Sequence, residues 1–289
     1  MRKEILKGPL IQMDETPLQV LNESERADTT KSYMWLARGG PPRSPLVLYT
    51  YRTTRSGKQA REFLGDYHGY LQTDGYAEYD RAIEDRTDVI HVGCWAHARR
   101  KFFEASKASK TAGAAHEGLK YIQELYRIES ELRAQSLADE QFAERRRALA
   151  QPNLEKLHAW LEKKALTMVP SSLTGKAVHY TLGQWEKLIR YLEAPYLKPD
   201  TNDAENAIRP FVLGRKNWLF AGSPAGADAS CAIYSLIETA KQNDLDPYAY
   251  LHYVFERVPS AETEEHWREL LPQNIGSKKL QEFILAAVR

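Results

Sequence analysis

The 289-residue sequence has only two cysteines, Cys94 and Cys231, which lie far apart in the chain. They match no recognised zinc spacing and are too few for a disulfide framework. We therefore expect two reduced thiols, as in a cytoplasmic protein. No apolar run approaches the roughly 20 residues that span a bilayer, so no membrane partner is expected. The first residues contain only a broken apolar run, which makes a poor signal peptide.

The chain also lacks a large net charge of either sign, since it has 40 Lys and Arg and 39 Asp and Glu. Proteins devoted to nucleic acid usually show a clear basic excess. Two short segments are nevertheless locally basic, 94–109 and 205–218. Such patches on a neutral background give only weak support for a phosphate-binding surface.

The first hundred residues alternate between strand-like and helix-like segments. The patterns predict strands at 9–15, 32–38, 45–52, 69–76 and 88–94, and helices at 56–67 and 77–83. The first three strands are expected to form an antiparallel meander. The order βββαβαβα indicates a mixed α/β fold.

The middle of the chain changes character, because no glycine occurs between Gly118 and Gly175. Leucines and other apolar residues recur there at helical spacing, which predicts a helical insertion. Further helices are predicted at about 203–209, 228–241 and 246–258. The second of these shows an apolar stripe that we expect to be buried: Ala229, Ala232, Ile233, Leu236, Ile237 and Ala240.

Three acidic residues occupy places suited to a two-metal centre. Two divalent ions about 3.5–4 Å apart serve the attacking and leaving oxygens in phosphoryl transfer. Mg²⁺ prefers carboxylate oxygens, so three or four acids suffice. Asp14 is expected to end the first strand, Asp74 to end the fourth, and Glu205 to begin a helix far along the chain.

Each acid also has an ordinary structural explanation. Asp14 could cap the turn after its strand, and Asp74 precedes Gly75 in a common turn pair. Asn202 and Glu205 have capping-box spacing, and Glu205 could pair with an arginine one turn on. Composition and spacing alone leave the function open.

Cys94, Trp95 and His97 form a C-W-x-H motif where a strand is predicted to turn into a helix. A zinc site would need two more ligands at fixed spacing, and the sequence shows none. Burial of Cys94 and Trp95 in the core is therefore favoured. The role of His97 is left open: it could be a proton donor, a phosphate contact or a buried histidine.

Five segments, taken in order, resemble the insertion-sequence 66 family of transposases. They are QMDETPLQVL (12–21), LQTDGYAEY (71–79), GCWAHARRKF (93–102), NDAENAIRPFVLGRKNWLFAGS (202–223) and DPYAYLHYVFERV (246–258). The resemblance runs from about residue 5 to 273. The segments around Cys94 and Glu205 are its most specific parts.

The resemblance implies a ribonuclease H-like α/β fold, with a mixed sheet of about five strands, a large all-helical insertion and a helical C-terminal element. The implied division has four parts. They are the first part of the core (1–105), the insertion (106–185), the second part of the core with the glutamate helix (186–243) and the C-terminal element (244–289).

The resemblance also implies chemistry. Asp14, Asp74 and Glu205 match the family's metal-binding acids, which would hold two Mg²⁺ or Mn²⁺ ions for DNA strand cleavage and strand transfer. The expected partners are DNA (transposon ends and target), further copies of the chain on that DNA, and accessory proteins of the same element. A bacterial, nucleoid-associated protein is expected.

DNA contacts are expected from residues near these acids: His97, Arg99, Arg100, Arg209, Arg215, Lys216 and Trp218. The cationic side chains would meet phosphates. Trp218 could stack on an unpaired base, although core packing is favoured for it. Asn206 stands where many relatives have arginine, which removes one basic contact near the metals.

The two ends of the chain depart from the family pattern. Relatives usually carry a helix-rich region and a zinc-binding module ahead of the catalytic domain, whereas this chain begins 13 residues before Asp14. An excised domain, one product of a split gene and a decayed element all fit this observation. At the other end, residues 276–289 extend beyond the familiar element.

Three other classes of function stay open. A structure-selective nuclease of the same fold would use the same acids and would lack strand transfer. An inactive remnant or regulatory protein would bind DNA without turnover. A carboxylate-based glycosidase has little support beyond the presence of acids and aromatic residues.

Overall fold

The computed structural model describes residues 1–108 and 112–287 and has a mixed α/β fold. The strands are β1 (Leu10–Val20), β2 (Lys31–Gly39), β3 (Leu46–Arg52), β4 (Gly69–Gln72), β5 (Val89–Val92) and β6 (Phe220–Ala221). The helices of the first half are α1 (Arg2–Ile5), α2 (Gly57–Leu64), α3 (Ala77–Ala82), α4 (Trp95–Lys107) and α5 (Ala114–Arg133). Those of the second half are α6 (Asp139–Thr167), α7 (Leu173–Gly183), α8 (Trp185–Ile189), α9 (Asn202–Trp218), α10 (Pro224–Gln242), α11 (Pro247–Arg257), α12 (Glu264–Glu269) and α13 (Ser277–Ala287).

The strands form one mixed sheet in the order β3-β2-β1-β4-β5. β1 pairs antiparallel with β2, and β2 pairs antiparallel with β3, which confirms the predicted meander. All five predicted strands are present, and β6 is a sixth that pairs parallel with the end of β1. Two residues carry no periodicity, so the sequence pattern did not reveal β6.

Strand β1 is longer than predicted, so the expectation that Asp14 ends it was wrong. Pro17 lacks a backbone N–H and normally discourages a strand from continuing. The pairing with β2 nevertheless extends to Gln19, which lies opposite Lys31. Asp14 therefore lies inside the central strand, and the alternative explanation that it caps a turn after the strand is wrong too.

Helix α10 covers the outer edge of the sheet. The backbone of Val47, in edge strand β3, donates to and accepts from the Thr239 hydroxyl at 2.9 and 3.0 Å. The Tyr49 N–H donates to Ser235 Oγ at 2.8 Å. An edge strand needs such partners because its outward N–H and C=O groups otherwise invite pairing with another chain.

The buried face of α10 differs from the predicted apolar stripe. Ala229, Ala232 and Ile233 are exposed, and the buried residues are Ala227, Cys231, Ser235, Glu238, Thr239 and Ala240. The reason is that α10 packs against backbone groups of β3, which hydroxyl side chains satisfy and isoleucine does not.

Between residues 106 and 185, the described residues form helices and no strand, as the fold prediction required. Arg146 of α6 is completely buried there and donates to the carbonyls of Ala194 (2.6 Å) and Leu197 (2.9 Å). The C-terminal helices have a core of their own, which includes Tyr250, Tyr253 and Leu280.

The chain divides into two compact units. The first comprises residues 1–71, 78–90 and 203–289, and the second comprises 72–77 and 91–202. The four-part functional division stays a prediction. Among the described residues, no helix combines the length and apolar composition needed to cross a bilayer.

Candidate active site

Asp14 faces the side of the sheet that α9 covers. It lies opposite Leu36 in the antiparallel pairing of β1 with β2. Leu36 is buried in a cluster with Ala204 and Ile208 of α9. Directly opposite residues of an antiparallel pair project from the same face. Asp14 is half-buried on that face, and its Oδ1 accepts a hydrogen bond from the Glu15 N–H at 2.8 Å.

Glu15, the next residue, points to the opposite face and is buried. Its carboxylate accepts hydrogen bonds from the Arg55 guanidinium and the Tyr79 hydroxyl. A buried carboxylate needs such partners, because burial of an unpaired charge is costly. Glu15 is therefore a structural residue, and its neighbour is the candidate for chemistry.

Glu205 lies in the first turn of α9, which belongs to the same compact unit as Asp14. Ala204, Ala207, Ile208 and Phe211 form the buried face of this helix, and half-buried Glu205 lies at its flank. Asn202 is the first helical residue, and its side chain donates to Asp200 at 2.9 Å. The capping-box interpretation of Asn202 and Glu205 stays a prediction.

An ion pair fixes the start of α9 against β2. Asp203 lies 3.4 Å from the Arg38 guanidinium, which also donates to Gln12 (3.4 Å) and Gln242 (3.1 Å). Burial lowers the pKa of Arg38, and Asp203 partly offsets this effect. This pair was not predicted, because the sequence signals only one partner, the cation Arg38 at the end of the apolar segment 32–38.

Asp74 follows β4 and forms the turn expected of an Asp-Gly pair. Its Oδ1 accepts a hydrogen bond from the Tyr76 N–H at 2.9 Å. A Cβ at Gly75 would come within 2.7 Å of the Tyr180 hydroxyl, so the close approach of Tyr180 favours glycine here. Asp74 is half-buried, and its Oδ2 makes no hydrogen bond to any described residue. The turn thus leaves one carboxylate oxygen available to a ligand.

Asp14 and Glu205 belong to the first compact unit and Asp74 to the second. The convergence of the three carboxylates therefore stays a prediction. The donor chemistry fits the expected ions, because Mg²⁺ and Mn²⁺ prefer carboxylate oxygens.

The basic residues of α9 have different surroundings. Arg209 and Lys216 are exposed, and the helical repeat places them on the same flank as Glu205. Arg215 instead donates to the Thr16 hydroxyl at 3.0 Å and to the Pro17 carbonyl of β1. It therefore links α9 to the central strand.

Trp218 packs against Phe211 with ring centroids 5.3 Å apart, beside the buried cluster of the sheet. Core packing, the favoured role for Trp218, is thus observed. On α4, Arg99 and Arg100 are exposed and His97 is half-buried.

Cys94 and Trp95 are core residues, as expected. Thr201 donates to the Cys94 sulfur from its N–H (3.4 Å) and its hydroxyl (3.3 Å). Burial raises the pKa of the Cys94 thiol to about 11, so the thiol is protonated at neutral pH. The Trp95 indole donates to the Leu188 carbonyl at 2.9 Å.

Two family models match the chain. Residues 1–229 match the model described as "Transposase IS66 family", and residues 235–273 match "IS66 C-terminal element". The first match covers well over half of the chain. The chain therefore belongs to the IS66 family of transposases, as the sequence motifs indicated.

Similar curated proteins occur in Sinorhizobium fredii, each described only as an uncharacterized protein. Protein y4jD is 33% identical over 281 residues, which is 93% of this chain and 54% of the relative. Protein y4qI is 31% identical over 283 residues, or 94% of this chain and 52% of the relative. The chain thus spans about half the length of these relatives. No solved structure matches the chain.

Proposed function

We propose that this chain is the catalytic part of a transposase that cleaves DNA strands and joins them to a target. Its core would be ribonuclease H-like, and Asp14, Asp74 and Glu205 would hold two Mg²⁺ or Mn²⁺ ions. One observation carries the proposal: half-buried Asp14 lies in the central strand, on the face covered by the helix that contains Glu205.

The order of elements supports a ribonuclease H-like core. Three antiparallel strands come first, and two further strands follow, each preceded by a helix. β4 is the neighbour of β1 in the sheet, and Asp74 follows β4 by two residues. A stiff strand is a good support for a ligand whose position must be accurate.

The bound ions would activate the attacking oxygen and stabilise the leaving 3′ oxygen. The chain's own residues would hold these ions in position. Asp14, Asp74 and Glu205 offer the oxygen ligands, and the pair of Arg38 with Asp203 holds the start of the glutamate helix.

Phosphates of the DNA would be met by exposed cations. Arg209 and Lys216 follow Glu205 along one flank of α9, so a strand bound at the ions would pass beside them. His97, Arg99 and Arg100 on α4 are further proposed contacts, and Arg215 and Trp218 would support the helix from the sheet side. Further copies of the chain and accessory proteins of the element are proposed partners.

A strand-transfer assay tests the proposal. Duplex DNA with the element's own ends is incubated with the chain and Mg²⁺ or Mn²⁺, and joined products are measured. We expect joining by the parent chain and none by Asp74→Asn. Asp139 is exposed and provides a matched control. Asp139→Asn removes the same charge and should leave activity intact.

Each other outcome identifies a different function. Cleavage without joining would indicate a structure-selective nuclease. DNA binding without cleavage would indicate an inactive remnant. Activity that survives Asp74→Asn would show that the proposed ligand set is wrong.

A further inference from the structure

The helical insertion contains a small aromatic pocket between α5 and α6. Its volume is about 270 Å³, and it is lined by Glu117, Lys120, Tyr121, Asn153 and Trp160. Pockets for drug-sized ligands occupy about 300–1,000 Å³. This pocket is slightly smaller, so its size suits a single planar group.

The Trp160 ring is held in place before any ligand arrives. Its indole N–H donates to the Glu117 carboxylate at 2.8 Å. The rings of Tyr121 and Phe102 lie 5.9 and 6.1 Å from it, centroid to centroid. The hydrogen bond from Trp160 lowers the pKa of Glu117, which stays ionised. A preorganised ring binds another flat group with little loss of side-chain entropy.

Charge is segregated around this ring. On α6 the helical repeat places Lys156, Lys163 and Lys164 within one sector centred on Trp160. Glu155 and Glu162 lie on the far side of the same helix. Lys120 adds a fourth cation from α5. Because Lys164 is paired with Glu117, Lys120, Lys156 and Lys163 are the lysines that a polyanion approaching Trp160 would meet.

The interior of the pocket offers hydrogen-bond acceptors. Lys164 lies 3.4 Å from Glu117 Oε2, the oxygen that also binds Trp160. Glu117 Oε1 makes no hydrogen bond within the described part of the chain. The Asn153 amide nitrogen donates to the Tyr121 carbonyl at 2.9 Å. The Oδ1 atom of Asn153 is therefore the second acceptor.

We propose that this pocket binds an unpaired nucleotide of single-stranded DNA. The base would stack on the Trp160 ring with its edge against Tyr121, and the adjoining phosphates would lie near Lys120, Lys156 and Lys163. Aromatic platforms set among cations are the common way in which proteins hold single strands. The inference rests on the proposed function, because strand cleavage at DNA ends generates the unpaired nucleotides.

The two acceptors also predict a preference among bases. Carboxylate and amide oxygens accept hydrogen bonds from exocyclic amino groups. Cytosine has such a group with two hydrogens, one for each acceptor, whereas thymine, a pyrimidine of similar size, offers only its single N3–H. Short oligo(dC) should therefore bind more tightly than oligo(dT).

Binding of short labelled strands, measured by fluorescence anisotropy in EDTA, tests the pocket. Trp160→Ala should weaken single-strand binding about five-fold or more, since one stacked base contributes about 1–3 kcal/mol. Trp160→Phe keeps an aromatic ring and should retain most of the affinity. Binding of duplex DNA should change by less than about two-fold in both variants, because paired bases cannot enter the pocket.

The lysines give an independent readout. Lys163→Ala should reduce the salt dependence of single-strand binding by about 0.7 in the slope of log K against log salt. Lys176→Ala, at an exposed position of α7, removes the same charge and should leave the slope unchanged.

Single-strand affinity that is unchanged in Trp160→Ala, or reduced equally for duplex DNA, would overturn the proposal. Should Trp160→Ala fail to fold, photo-cross-linking of the unaltered chain to a bromouracil-containing strand decides instead. Cross-links at Trp160 or Tyr121 support the pocket, and cross-links confined to other residues refute it. Because EDTA removes metal-dependent catalysis, a chain that binds strands through Trp160 but never joins them would refute only the catalytic proposal.

Discussion

The sheet and the helical insertion both bury charged side chains, but they satisfy them differently. In the sheet, the buried carboxylate of Glu15 is matched by the Arg55 guanidinium. In the insertion, the buried guanidinium of Arg146 donates to the carbonyls of Ala194 and Leu197. Glu15 is therefore satisfied by side chains, whereas Arg146 is satisfied mainly by backbone carbonyls of the segment after α8, with the Glu129 carboxylate farther away at 3.6 Å.

The comparison shows how structural charges differ from candidate functional ones. Glu15 and Arg146 are almost fully buried and have partners within the chain. Asp14 and Asp74 are only half-buried, and Asp74 keeps one carboxylate oxygen without a hydrogen bond to the described residues. Structural charges should therefore affect folding when changed, and the half-buried acids should affect activity.

Neighbouring Asp14 and Glu15 give the sharpest test of this difference. Asp14→Asn should reduce strand cleavage about 1,000-fold, since a lost metal ligand removes several kcal/mol of transition-state stabilisation. Its free energy of unfolding should change by less than about 0.5 kcal/mol. Glu15→Gln should instead lower the free energy of unfolding by about 1.5 kcal/mol, because the hydrogen bonds that Arg55 and Tyr79 make to the buried carboxylate are weakened. Cleavage assays and urea denaturation of both variants provide the measurements.

The comparison would fail if the two variants behaved alike. An Asp14→Asn protein that unfolds as easily as Glu15→Gln would make Asp14 a structural residue. A folded Glu15→Gln protein without activity would place Glu15 in the chemistry instead.

Arg146 provides the corresponding test in the insertion. Arg146→Met should lower the free energy of unfolding by about 3 kcal/mol, because the Ala194 and Leu197 carbonyls and Glu129 each lose a buried, charged partner. Arg146→Lys should rescue little, since one ammonium group cannot reproduce the planar set of donors. Thermal and urea denaturation measure both variants. Near-parental stability of Arg146→Met would show that this guanidinium does not hold the insertion together.

Much of the fold could be predicted from the sequence because its signals are local. The aromatic and β-branched runs predicted the meander, and α2 lies within the predicted 56–67, with Ser56 as its cap. Features that depend on tertiary contacts could not be predicted. β1 continues through Pro17 because β2 pairs with it, and α10 buries hydroxyl groups because they bind the edge of β3.

The candidate site likewise contains features that the sequence predicts and features that it does not. The motifs identified Asp14, Asp74 and Glu205 by residue type and order. The contacts that support them join distant positions, as Arg38 and Asp203 do, and no local pattern reveals such a pair. The Trp160 pocket depends in the same way on Glu117, which lies on another helix.

Two variants of Asp74 can separate its role in the turn from its proposed role as a metal ligand. Asp74→Asn keeps an Oδ1 that can accept from the Tyr76 N–H, whereas Asp74→Ala removes it. We expect both variants to lose cleavage, and only Asp74→Ala to lose stability, by about 1 kcal/mol. Equal destabilisation of the two variants, measured by thermal denaturation without metal, would show that the charge itself holds the turn.

Arg215 and Lys216 allow the closest comparison between a structural and a functional charge. The two residues are adjacent, and substitution of either by alanine removes one positive charge. Lys216→Ala should weaken DNA binding and reduce the salt slope by about 0.9, the value for one phosphate contact on duplex DNA. Arg215→Ala should leave that slope unchanged and lower the free energy of unfolding by about 1 kcal/mol, because the contacts with Thr16 and Pro17 are lost. Anisotropy titrations at several salt concentrations, run beside urea denaturation, measure both effects. A smaller slope in Arg215→Ala with unchanged stability would reverse the two roles and place the DNA on the sheet side of α9.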